Sequence, residues 1–176
     1  MRHIPAMDAG YDPAAWHDFG VALVGASAAL LGLIIVVVSL HLKAVVSDSV
    51  LRRRAEILLG LFATTLAASA ALLIPGQSRQ ALGIELTSFA LLYITFSTLA
   101  TIRATQSERG VSRDRLARFV LGELSAGLIL VGGLGLVMHA LGGAYLVAAG
   151  IVLGVLSAML AVWTLFVGLG VELPDG

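Results

Sequence analysis

The chain of 176 residues contains no cysteine, and charged residues make up only 12% of it. Without cysteine there are no disulfides, no thiolate metal ligands and no thiol redox chemistry. So little charge also excludes an ordinary soluble domain, in which about 25% of residues are charged. Enzyme signatures are missing too: there is no zinc-protease helix motif and no nucleophile elbow. Gly133-Leu134-Gly135 lacks the third glycine and the preceding strand of a dinucleotide fingerprint. Ser27, in Gly25-Ala26-Ser27-Ala28, has no histidine or lysine at matching depth, which argues against an intramembrane protease. These absences predict no enzyme and no cofactor, and no internal repeat or low-complexity segment interrupts the chain.

What fills the chain instead is apolar: 59% of residues are hydrophobic and the mean hydropathy is +0.98. Five long stretches carry most of it, Phe19 to Leu40, Glu56 to Ile74, Leu82 to Ile102, Ala117 to His139 and Ala144 to Val171. Each is close to or above the roughly 20 residues with which a helix crosses about 30 Å of hydrocarbon. A β-barrel would alternate apolar and polar residues, whereas Leu30 to Val38 is apolar throughout except for Gly32. The first stretch is too long for a cleavable signal, and Asp8, Asp12 and Asp18 precede it against Arg2 alone, so it reads as a retained helix. The expected fold is all-α, a polytopic five-helix transmembrane bundle. Residues 1–18 form a short outer segment, 19–171 the membrane domain and 172–176 a short tail.

The connectors alternate between basic and neutral. Lys43, Arg52, Arg53 and Arg54 fall between the first and second spans, and Arg103, Arg109, Arg113, Arg115 and Arg118 between or beside the third and fourth. These are nine of the eleven Lys and Arg, all on one side, so that side is expected to face the cytoplasm. The N-terminus, the Gln77 to Gln80 connector and the Leu141 to Gly143 turn then face outward, with Trp16, Phe19 and Tyr145 at the outer interface. Zero net charge hides this asymmetry. The basic loops suit anionic lipid headgroups, and no nucleic-acid partner is needed to explain them.

Local punctuation fits these boundaries. Pro75 and Gly76 stop the second span, Gly110 and Ser112 break and restart the chain, and Gly142 and Gly143 predict an antiparallel hairpin of the last two helices. Small residues line helix faces: Ala22, Gly25, Ala29 and Gly32 in the first span, Gly60, Ala63, Ala67 and Ala70 in the second, and Gly150, Gly154, Ser157, Ala161, Thr164 and Gly168 in the fifth. In lipid, close approach along such faces holds helices together. They serve packing within one chain or an interface between subunits, and the small size of the bundle points to a homo-oligomer.

Ionisable residues at membrane depth are where chemistry is expected, since burying a charge mid-helix costs at least about 2.5 to 3.5 kcal/mol. Glu123 lies inside the fourth span near the basic side, with Arg118 or His41 as expected partners. It reads as an inner-leaflet ion pair, as a protonated carboxyl hydrogen-bonded within the bundle, or as a proton or cation site. Glu85 lies near the outer end of the third span, where the helix dipole and Arg79 can stabilise it. Thr87, Ser88, Thr95, Ser97, Thr98 and Thr101 encircle the third span, with Tyr93 near its middle. This is the helix expected to line a conducting path, with Thr95 and Thr98 as candidates, unless its hydroxyls only bond back to their own carbonyls. His17, Asp18, Glu85 and His139 share the outer side and are the residue types of a divalent metal site. Without local ligand spacing, solvated interfacial residues are the default reading for them, and a haem held by the two histidines is less favoured still.

The runs Trp16-His17-Asp18-Phe19, Gly25-Ala26-Ser27-Ala28-Ala29-Leu30, Val38-Ser39-Leu40, Pro75-Gly76-Gln77 and Leu82-Gly83-Ile84-Glu85-Leu86 resemble a group of small bacterial membrane proteins with no assigned activity. The resemblance covers roughly the first half of the chain, implies a bacterial cytoplasmic membrane and assigns no functional residue. Two functions are expected from the residues themselves. One is a homo-oligomeric ion or proton channel or transporter using Glu123, and the other a non-conducting accessory subunit that docks another membrane protein.

Overall fold

A computed structural model describes residues 13–105, 113–139 and 142–171, all of it helix and short turns. Six helices follow in order: α1 (Pro13–Leu40), α2 (Leu42–Ser47), α3 (Ser49–Ala71), α4 (Arg79–Thr105), α5 (Arg113–Val137) and α6 (Gly143–Val171). Five of them are long and apolar enough to cross a membrane, and α2 is the exception. The chain is therefore a multi-pass helical membrane protein. Asp12, Arg109, Gly110, Ser112 and Leu141 lie outside the described residues, as do the side chains of Arg103, Arg113, Arg115, Arg118 and Thr164.

Each helix starts earlier than hydropathy suggests, and the second crossing differs most. Asp48 caps α3 by accepting from the backbone N–H of Val50 (2.7 Å) and Leu51 (3.4 Å), so the helix begins at Ser49 rather than Glu56. A carboxylate at this position satisfies donors that have no partner inside the helix. Arg52, Arg53 and Arg54 are thus not loop residues but the first turns of α3. Lys43 belongs to α2, whose Val45 is buried against the bundle. Hydropathy misses these turns because charge on an exposed helix end lowers the average without breaking the helix. At its other end α3 closes with tight turns, Leu73 N–H to Ala70 O (3.0 Å) and Ile74 N–H to Ala71 O (3.3 Å). Gly76 then takes a left-handed φ of 69°, which glycine adopts freely.

Helices α3, α4, α5 and α6 form a ring of neighbours in that order, α6 closing back on α3, while α1 lies outside against α3 and α6. The closest approaches are at glycines. A Cβ on Gly132 would stand 2.7 Å from the Gly143 carbonyl oxygen and 2.7 Å from the Val147 nitrogen of α6. One on the adjacent Gly133 would stand 3.0 Å from the Gly83 carbonyl oxygen of α4. The pair Gly132-Gly133 therefore lets α5 touch both neighbours backbone to backbone. Along α6 the predicted small-residue face is also packed: Gly150 meets the backbone of Ser125 and Ile129, Gly154 meets the side chains of Ser125 and Thr65, and Ser157 is buried. Ser125 also donates across this contact to the Gly150 carbonyl (2.7 Å).

The small-residue face of α1 behaves differently. Ala22, Gly25, Ala29 and Gly32 are all exposed, and nothing lies within 4 Å of a Cβ at Gly25 or Gly32. On α3, Gly60 meets the ring of Phe96 at 3.5 Å, whereas Ala63 and Ala70 are exposed. Two apolar cores fill the ring. One, towards the neutral end, is built on Leu82, Leu86, Ile129, Leu136 and Ile151. The other, towards the basic end, is built on Ile34, Leu61, Phe62, Tyr93 and Ala126.

Candidate functional site

Near the basic end, α4 and α5 place three polar side chains together. Glu123 sits within the part of α5 that is long and apolar enough to cross a membrane. Its Oε1 accepts a hydrogen bond from the Ser97 hydroxyl of α4, and Ser97 is completely buried. Ser97 Oγ also lies 3.1 Å from the Ile94 carbonyl oxygen. Tyr93, one turn deeper on the same face of α4, is only 5% exposed. Its phenol reaches α5 because residue 122 is glycine: a Cβ there would stand 2.8 Å from Tyr93 Oη.

The partner found for Glu123 is not the expected His41. His41 turns its Nδ1 to the Val37 carbonyl of its own helix (3.1 Å), the Arg118 side chain lies outside the described residues, and the contact made is with the neutral hydroxyl of Ser97. A serine on the facing helix wins because helix packing brings it opposite, whereas His41 belongs to the turn after α1. Closer to the end, Arg53 of α3 donates to the Ala100 carbonyl of α4 (3.0 Å), tying those helices together.

The hydroxyls of α4 divide by face. Ser97 points to Glu123, while Thr95 is exposed and lines a shallow apolar groove with Ser88, Leu91, Leu92, Phe96 and Leu99. Thr98 is half-buried. Ser88 bonds back to the Ile84 carbonyl one turn earlier (2.8 Å), as helix hydroxyls commonly do. Thr95 therefore lies on the groove rather than with Glu123, and the residues gathered around that carboxylate, Ser97 and Tyr93, were visible only as members of a polar helix. Their spacing of four put them on one face, which was the available signal.

At the neutral end the four candidate metal ligands do not gather into one cluster. His17 Nδ1 and Asp18 Oδ1 are 3.3 Å from each other on successive residues, and His139 Nε2 is 3.3 Å from the Gln80 amide. Glu85 is half-buried at the seventh position of α4, beyond the first turn, because the helix begins at Arg79. Among the described residues no three His, Asp or Glu side chains converge on one point. The aromatic grouping does form: Trp16 meets Phe19 and Tyr145 edge to face, with ring centroids 5.6 and 5.2 Å away. No protein-family model, no curated protein and no solved structure matches this chain.

Proposed function

We propose that this protein is a small membrane channel or transporter for protons or small cations, working as a homo-oligomer, with Glu123 as the group that loads and releases the ion. The observation that carries the reading is a carboxylate inside an apolar helix whose partner across the α4–α5 interface is a neutral hydroxyl. An ionisable group placed so deep is costly, and such groups mark ion pathways. Thr95 and Ser88, on the outward groove of α4, are available to line a path between copies, and the half-buried Thr98 follows three residues after Thr95. In this reading the membrane is the cytoplasmic one of a bacterium and the basic end, with Lys43 and Arg52 exposed, faces inward against anionic headgroups. Purified protein in liposomes should pass protons or a small cation, and Glu123→Gln should abolish the flux. No flux under any imposed gradient refutes the proposal.

A second reading has its own support in the unoccupied small-residue face of α1. Here the protein is a non-conducting accessory subunit, and Gly25, Ala29 and Gly32 seat a helix of another membrane protein. A mild-detergent purification should then bring down a different protein in fixed stoichiometry. Recovery of a homo-oligomer alone speaks against it.

A further inference from the structure

We propose that Glu123 and Ser97 form a proton site rather than a metal-ion site, with Ser97 the positioning hydroxyl that holds the carboxyl in both of its protonation states. The inference rests on the reading of Glu123 as the loading group and narrows its cargo to the proton.

Ser97 Oγ has two acceptors in reach, Glu123 Oε1 on α5 and the Ile94 carbonyl oxygen 3.1 Å away on its own helix. A serine hydroxyl has one proton and two lone pairs, so it donates to one acceptor at a time. With Glu123 ionised, the Ser97 O–H points to Oε1. With Glu123 protonated, the carboxyl O–H donates to Ser97 Oγ, and the Ser97 O–H turns to the Ile94 carbonyl. The result is an unbroken chain from Glu123 through Ser97 to Ile94. Every hydroxyl proton is used in both states, and the heavy atoms stay where they are. Loading a proton from water at the basic end forms one O–H bond on the carboxylate and rotates one hydroxyl, and release reverses both.

A metal ion fits the same atoms poorly. Calcium takes six to eight oxygens and magnesium a near-ideal octahedron, whereas this site offers one carboxylate already in direct hydrogen-bond contact with the serine. Among the described residues, the Tyr93 phenol of α4 lies against Gly122, next to Glu123, and the Arg53 guanidinium of α3 is held on the Ala100 carbonyl. The described side chains of α6 at this end, Ser157, Ala158, Ala161, Val162 and Trp163, carry no titratable group.

Infrared difference spectra of the protein in lipid, titrated with acid, test this directly. A protonated-carboxyl C=O band should appear on acidification, shift in D2O and be lost in Glu123→Gln. In Ser97→Ala the band should persist but move to the higher frequency of a carboxyl without a partner, and Ser97→Thr should restore it. Sodium, potassium or magnesium added at constant pH should leave the wild-type band intact. The proposal is overturned if Glu123→Gln retains the whole titrating signal, if Ser97→Ala leaves the frequency unmoved, or if a metal cation removes the band at constant pH. The Glu123→Gln and cation measurements stand even where a Ser97 variant folds poorly. A titrating band without liposome flux would remove the transport function and keep the proton site, so the two readings fail separately.

Discussion

Replacing Gly132 by alanine tests the backbone contact on which the bundle depends. The added Cβ would lie 2.7 Å from the Gly143 carbonyl oxygen, the Val147 nitrogen and Val147 Cγ2, against the 3.4 Å at which ordinary contact begins. Two of these three atoms are backbone, so no side-chain rotation relieves the overlap, and α5 and α6 must separate by about 0.7 Å at this point. A radial gap of that size forfeits a quarter to a half of each dispersion contact it opens, and overpacking of this kind costs about 1 to 3 kcal/mol. Gly127, on the same helix, has nothing within 4 Å of its Cβ position and provides the control. Unfolding of both variants in mixed micelles should show Gly132→Ala destabilised by about 1 to 3 kcal/mol and Gly127→Ala within about 0.5 kcal/mol of the parent. Equal stabilities would refute the claim that α5 and α6 touch backbone to backbone.

The same unfolding assay reads three further changes. Ser125→Ala removes the hydrogen bond to the Gly150 carbonyl and should cost about 0.6 kcal/mol, at most about 2; no loss means the bond is absent in lipid. Asp48→Ala should cost about 1 kcal/mol and speed hydrogen exchange at the amides of Val50 and Leu51, which its carboxylate accepts from. Unchanged exchange there would return the start of α3 to a later residue. Gly122→Ala places a Cβ 2.8 Å from Tyr93 Oη and should destabilise by about 1 to 3 kcal/mol. Most of that should be recovered in Gly122→Ala with Tyr93→Phe, since the clashing oxygen is then gone, and simple additivity of the two changes would refute the contact.

The number and type of helices were legible because lipid imposes one rule on every crossing, a run of about 20 apolar residues. Their ends were not, because hydropathy ignores capping: Asp48 starts α3 seven residues before Glu56, and the arginines that looked like a connector are helical. Glu123 stood out as a carboxylate in an apolar run, but its partner did not. Finding Ser97 needs the register of α4 against α5, and that register is set at the far end by Gly83 and Gly133, which look like any other glycines in the sequence. The small-residue faces illustrate the same limit. Those of α1 and α6 read alike, yet Gly150 and Gly154 are packed while Gly25 and Gly32 touch nothing, because periodicity shows that a face is smooth and not what lies against it.

The α4–α5 interface also explains why a carboxylate can sit where it does. At the neutral end glycine faces glycine, Gly83 against Gly133, and the helices meet through backbone atoms with only the short Thr87 side chain beside them. At the basic end α4 presents the large Tyr93, and α5 answers with Gly122, so the phenol takes up the volume that two ordinary side chains would share. That exchange leaves the next residue, Glu123, half-buried at the same interface and facing Ser97 instead of another apolar side chain. Small residues alone would have closed this end as tightly as the other, and two large residues would have pushed the helices apart. A tyrosine on a glycine keeps the interface packed and still admits the hydrogen-bonded pair, so residue 122 governs the site although it contributes no atom to its chemistry.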